Sequence, residues 1–113
     1  MKIVIECATA FEARKVKSQI ANDVKNEELE TWEYKKGVST GNDIIFHNPS
    51  QFVNEPNKNV IFVISTDDNK VIFSTTYWKG KPKPSQKMNA LHTGRLVEAI
   101  LGQGYSDNFQ VIG

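Results

Sequence analysis

The stretch VIFVISTDDNKVIFSTTYW, residues 60–78, reads as two β-strands around a short polar turn. Residues 60–65 are nearly all apolar and rich in β-branched side chains. Residues 71–78 mix such residues with Ser74, Thr75 and Thr76. Thr66, Asp67, Asp68 and Asn69 carry side chains that bond nearby backbone and favour turns. A four-residue turn would set Ser65 opposite Lys70, Ile64 opposite Val71 and Phe62 opposite Phe73. Strand side chains alternate between faces. One face then holds Val60, Phe62, Ile64, Val71, Phe73, Thr75 and Tyr77 and is the expected core. The other holds Ile61, Val63, Ile72, Ser74, Thr76 and Trp78 and is mixed.

Working outward, KIVIEC at residues 2–7 predicts a strand, with Ile3 and Ile5 pointing one way and Val4 and Glu6 the other. Thr9 and Glu12 have the spacing of a capping box, in which a hydroxyl and a carboxylate each accept a backbone N–H at a helix start. Ala13, Val16, Ile20 and Val24 follow as a helical apolar stripe. Residues 28–36 alternate, with Trp32 and Tyr34 on one face, which predicts a half-exposed outer strand. GVSTGN at 37–42 predicts a turn and DIIFH at 43–47 another strand. NPSQFVNEPNKN at 48–59 predicts a long connection, with Phe52 and Val53 able to pin it. KGKPKP at 79–84 favours extended backbone. Ser85 caps a second helix with a stripe of Met88, Leu91, the Arg95 stem, Leu96, Ala99 and Ile100, flanked by Val97 and Leu101. Gly102 is the expected stop. A turn at 104–108 and a strand at 109–112 complete the chain.

The order is strand, helix, four strands, helix, strand. It predicts an α+β fold, a single domain over residues 1–113, with two helices packed on one face of a mainly antiparallel sheet. At 113 residues the chain can bury a substantial core. No apolar run reaches the roughly 18 residues that span a bilayer, so no membrane partner is expected. The start MKIVIECATA lacks the pattern of a signal peptide, and the expected location is cytoplasmic. A single cysteine, Cys7, rules out an internal disulfide.

The net charge of +1 conceals a segregation. Residues 1–68 hold eight Lys or Arg and eleven Asp or Glu, whereas residues 69–97 hold six cations and no acid. Within that window, Tyr77, Trp78, Lys79, Lys81, Lys83 and Lys87 lead into the second helix, which also carries Arg95. Lysines attract phosphate, aromatic rings can stack on bases, and helix N-termini offer free N–H groups. These seven residues are the candidate ligand-binding set, with nucleic acid the expected ligand. Lys70 belongs to the window but lies at the far end of its strand, about 25 Å away at ~3.3 Å per residue.

The second functional expectation is a protein-interaction module of inhibitor, adaptor or immunity type. It would use Ile61, Val63, Ile72 and Trp78 as an interface, including between two copies in a homodimer. The acidic run Glu27, Glu28, Glu30 and Glu33 fits a solvated edge, or a partner for a basic surface. Catalysis is not expected. CATAFEAR puts six residues between Cys7 and Arg14, where a phosphatase loop has five, and it lacks the glycines of such a loop. Cys7 therefore reads as a buried structural thiol, with a pairing to His47 or His92 as the only catalytic route. Neither histidine sits in a metal-ligand motif, Asp67 and Asp68 do not continue into a calcium loop, and Gly102 and Gly104 follow a helix rather than open one. No metal and no cofactor are expected.

Overall fold

The computed structural model describes residues 1–26, 28–29, 31–36, 43–47 and 59–113. The turn read at 37–42 and the connection at 48–58, with Phe52 and Val53, lie outside the described residues, as do Glu27 and Glu30. Six strands and two helices follow the expected order: β1 Lys2–Glu6, α1 Ala10–Lys25, β2 Trp32–Lys36, β3 Asp43–His47, β4 Ile61–Asp67, β5 Lys70–Thr76, α2 Gln86–Gln103 and β6 Phe109–Ile112. The strands form one sheet in the order β2-β3-β4-β5-β1-β6. Every neighbouring pair is antiparallel. β2 is an edge strand, as its alternation predicts.

The β4–β5 hairpin lies in the middle of the sheet, but its turn is shorter than the polar run suggests. Asp67 pairs with Lys70, Ile64 with Phe73 and Phe62 with Thr75. Only Asp68 and Asn69 remain in the turn, and Asp68 adopts the left-handed conformation at φ 51°. Asn69 ties this turn to Cys7, just past β1. Its side chain donates to the Cys7 carbonyl at 2.8 Å, and its own carbonyl accepts the Cys7 N–H at 2.8 Å. Thr66 and Asp67 are thereby free to continue the strand. The register differs from the expected one by two residues, one full period, so every side chain keeps its face.

The core face behaves as the alternation requires. Ile3, Ile5, Ile45, Val60, Phe62, Ile64, Val71 and Phe73 are completely buried. Ala13, Ile20 and Val24 of α1 and Leu96 and Ile100 of α2 pack into the same cluster, so both helices cover one face. At the start of α1 the Glu12 N–H donates to Thr9 Oγ1 at 3.1 Å. The Glu12 carboxylate accepts from the Ala8 N–H, one residue ahead of the cap.

α2 differs from expectation in two respects. Its buried residues are His92, Thr93, Leu96 and Ile100. Leu91 and Leu101 are exposed instead, at 45% and 52%. Met88, Leu96 and Ile100 keep their expected places, whereas His92 takes the inward position expected of Leu91, and Arg95, whose stem the sequence places in the stripe, is exposed. Thr93 tolerates burial because its hydroxyl donates to the Asn89 carbonyl at 2.6 Å. The helix also passes through Gly102 and ends at Gly104, which takes φ 71°. The Gly104 and Tyr105 N–H groups close the last turn on Leu101 and Ile100.

Replacing Phe73 by Ala removes a ring from a site with no solvent access and should cost about 3–5 kcal/mol in urea unfolding. Phe11, 67% exposed on α1, should tolerate the same change within about 0.5 kcal/mol.

Candidate functional site

The basic loop after β5 is held by a residue from outside it. Asn59, fully buried just before β4, accepts the Trp78 N–H on Oδ1 at 3.0 Å. Its Nδ2 donates to the Pro82 carbonyl at 3.0 Å and to the Trp78 carbonyl at 3.4 Å. Gly80, at φ 82°, lets the chain turn back so that the Lys81 N–H reaches the Trp78 carbonyl at 3.2 Å. Pro82 and Pro84 have no N–H to satisfy, and Pro84 is buried. The loop is therefore pinned from within, and Lys79, Lys81, Lys83 and Lys87 all face solvent.

The two aromatic residues part company here. Tyr77 is 40% exposed, with the Lys83 ammonium 6.0 Å from its ring centre. Trp78 turns the other way, onto the second sheet face, and packs against the cluster of Ile44, Phe46 and Ile61 beside Val63. The Lys35 ammonium lies 5.1 Å from the Trp78 ring. Tyr77, not Trp78, is thus the ring available beside the lysines. The same packing reduces the expected interface, because Ile61 is only 4% exposed within the chain and Val63 and Ile72 are half-buried. Lys70 begins β5 at the opposite end, in register with Glu6 and Asp67, outside the lysine loop.

Along α2 the exposed residues Lys87, Leu91, Arg95 and Glu98 fall at spacings of four, four and three, which places them on one side of the helix. That side leads from the loop to a cleft of about 590 Å³ between α2 and the start of β2. Its walls include Leu29, Thr31, Trp32, His47, Arg95 and Glu98. The fold thus brings together both histidines, which the sequence places 45 residues apart. The His47 ring sits edge-on to Trp32 at 5.2 Å and to His92 at 5.9 Å. Arg95 Nη1 donates to His47 Nδ1 at 3.4 Å. A guanidinium can only donate, so Nδ1 accepts and the His47 proton resides on Nε2. From there it donates to Thr31 Oγ1 at 2.9 Å. Thr31 has φ 71°, a conformation uncommon for a β-branched residue.

The surroundings of both rings disfavour the protonated form. Burial lowers the His47 pKa, and the Arg95 charge lowers it further. His92, 3% exposed, is pushed down to about 4 by burial, then by Arg95 and His47. Its Nδ1 is buried with no hydrogen-bond partner among the described residues. Among the described residues, no three His, Cys, Asp or Glu converge to hold a metal ion.

Cys7 is not part of this cluster. It adjoins the β4–β5 turn, whereas His47 adjoins the start of β4, about 20 Å away at ~3.3 Å per strand residue. Burial raises the thiol pKa, and the Glu12 carboxylate raises it further, the reverse of what an activated nucleophile needs. The catalytic pairing of Cys7 with a histidine is therefore excluded by topology. Asn59, Thr31 and Trp32 went unrecognised as site residues in the sequence. Asn59 bonds partners 19 and 23 residues away, and no local pattern marks such a bond.

Comparison with protein-family models, with curated proteins and with solved structures finds no match for this chain.

Asn59→Ala should remove the acceptor of the part-buried Trp78 N–H and cost about 1–3 kcal/mol in urea unfolding. For His92 the folded pKa lies below the unfolded value of about 6.5, so the unfolded chain takes up the proton first as pH falls. Its contribution should be constant above pH 6.5 and decline toward pH 4, by up to about 3 kcal/mol. Urea unfolding of wild type and His92→Leu at pH 7.5 and 4.5 should show the smaller loss in the variant.

Proposed function

We propose that this protein binds single-stranded nucleic acid along the surface that runs from Tyr77 through the lysine loop to Arg95. The observation that carries this reading is a set of exposed cations outside any ion pair among the described residues. Lys79, Lys83, Lys87 and Arg95 are exposed and make no ion pair with a carboxylate among the described residues. Like charges held on a pinned loop and one helix side repel one another, and a polyanion relieves that repulsion. Lysines suit phosphate as point charges, and Arg95 adds a planar donor group. Tyr77 supplies one exposed ring beside Lys83, where a base can stack. A duplex offers no unstacked base to Tyr77, which favours the single strand.

The Asn59 clamp supports the same reading from another direction. A loop already fixed in shape loses little conformational entropy when it meets a ligand. The alternative, a protein interface on the second sheet face, has less to recommend it, since Trp78 already packs against the cluster that holds Ile61 within the chain.

Fluorescence anisotropy with labelled single-stranded DNA and RNA at several salt concentrations tests the proposal. Affinity should fall steeply with salt. Lys79→Ala, Lys83→Ala and Lys87→Ala should each weaken binding and lower the log–log salt slope by roughly 0.7 for each phosphate that is no longer neutralised. An absence of binding at low salt would overturn the proposal.

A further inference from the structure

We infer that the cleft between α2 and the start of β2 seats one base of the bound strand, and that Glu98 reads an amino group on that base. This rests on the proposal that the basic surface binds single-stranded nucleic acid, and it adds a specificity that lysines alone cannot supply.

The cleft lies where a strand tracking the lysines would arrive. The exposed side of α2 carries Lys87, then Leu91, then Arg95 at the mouth, with Ala99 and Gly102 further along the cleft wall. Arg95 and Gly102 are separated by about 10 Å of helix rise at 1.5 Å per residue, enough for a sugar and a flat base beyond a phosphate held at Arg95. At about 590 Å³ the space is an open groove with room for a base. Its shape comes from small residues. Ala99 and Gly102 hollow the helix side, and a Cβ placed on Gly102 would meet nothing within 4 Å. Leu29 and Trp32 form an apolar back wall. Gln103 Nε2 donates to the Glu28 carbonyl at 3.2 Å and ties α2 to the opposite wall.

The polar groups divide by charge. Arg95 has no carboxylate partner among the described residues, and its Nη1 and Thr31 both bond the His47 ring. Glu98, one turn further along α2, is exposed. A carboxylate accepts from the exocyclic amine of cytosine or adenine and opposes the carbonyl that uracil has at the corresponding place. A simple anion would gain from Arg95 but would also meet Glu98 and Glu28, so the cleft is poorly suited to a free phosphate.

The test compares 5′-labelled oligo(C) and oligo(U) of eight nucleotides, a duplex of the same length, and CMP. Wild type should prefer oligo(C) over oligo(U) by fivefold or more. Gly102→Leu, which fills the cleft from open space, should weaken oligo(C) at least fivefold and leave the duplex unchanged. Glu98→Gln should erase the preference for C, because an amide can either donate or accept. In parallel, CMP titrated into ¹⁵N-labelled wild type should shift the amides of Thr31, His47 and Ala99, a readout that needs no variant to fold. If the oligonucleotides bind but Gly102→Leu binds oligo(C) as wild type does, or CMP shifts only amides in the 77–87 loop, the base seat is wrong and the lysine surface stands. If neither oligonucleotide binds at low salt, both fall together.

Discussion

The dry face of the β4–β5 hairpin is the constraint on which the other elements depend. Phe62, Ile64, Val71 and Phe73 leave no solvent access on that face, and such a surface must be covered by something equally apolar. Ile3 and Ile5 extend it on one side and Ile45 on the other, in register with Phe73, Val71 and Phe62. The helices then have one place to go. Their stripes close over the extended surface and leave the opposite face to the smaller cluster under Trp78. Because α2 must lie across this face, its N-terminal end meets the loop that follows β5. Its exposed side is directed along the sheet toward His47. The basic loop and the cleft are neighbours as a result of how the core is covered.

Much of this architecture was legible because hydrophobic alternation is a local signal that burial enforces. The succession of elements along the chain, the faces of the central hairpin, the Thr9 and Ser85 caps and the outer position of β2 all follow from residues within a few positions of one another. The departures arise where a distant partner overrides the local preference. Thr66 and Asp67 read as turn residues, yet they pair with Val71 and Lys70 in the sheet and shorten the turn. Leu91 reads as core by type, but His92 takes the inward position because His47 lies there to pack against it. Gly102 reads as a stop, but the left-handed residue that ends a helix is the one whose N–H can reach back, and that is Gly104.

The candidate site was less legible than the fold for the same reason. The lysines were visible as a run, and their exposure follows from being charged residues in a proline-bearing loop. The division of labour between Tyr77 and Trp78 was not visible, since it depends on a cluster contributed by β3 and β4. The cleft was hidden altogether. It is composed of residues from the segment leading into β2, the end of β3 and the C-terminal half of α2, and each of them is ordinary in its own stretch of sequence. Two isolated histidines acquire a shared environment only once β3 has been set beside α2. The lowered pKa of both rings is a property of that environment, in which burial and the Arg95 guanidinium act together.

The position of β1 in the sheet has a bearing on how the chain is made. β1 pairs with β5 on one side and β6 on the other, and the Met1 carbonyl accepts hydrogen bonds from Thr75. A ribosome delivers β1 well before either partner exists. Until then KIVIE is an apolar strand with both edges open, the kind of segment that pairs with whatever strand it meets. The helix capped at Thr9 follows within three residues and can form at once, but it covers only one face of β1 and neither edge. Completion of β5 is the first moment at which this early strand gains its neighbour. Assembly of this half of the sheet is therefore gated by chain length, with the long loop closures that slow folding.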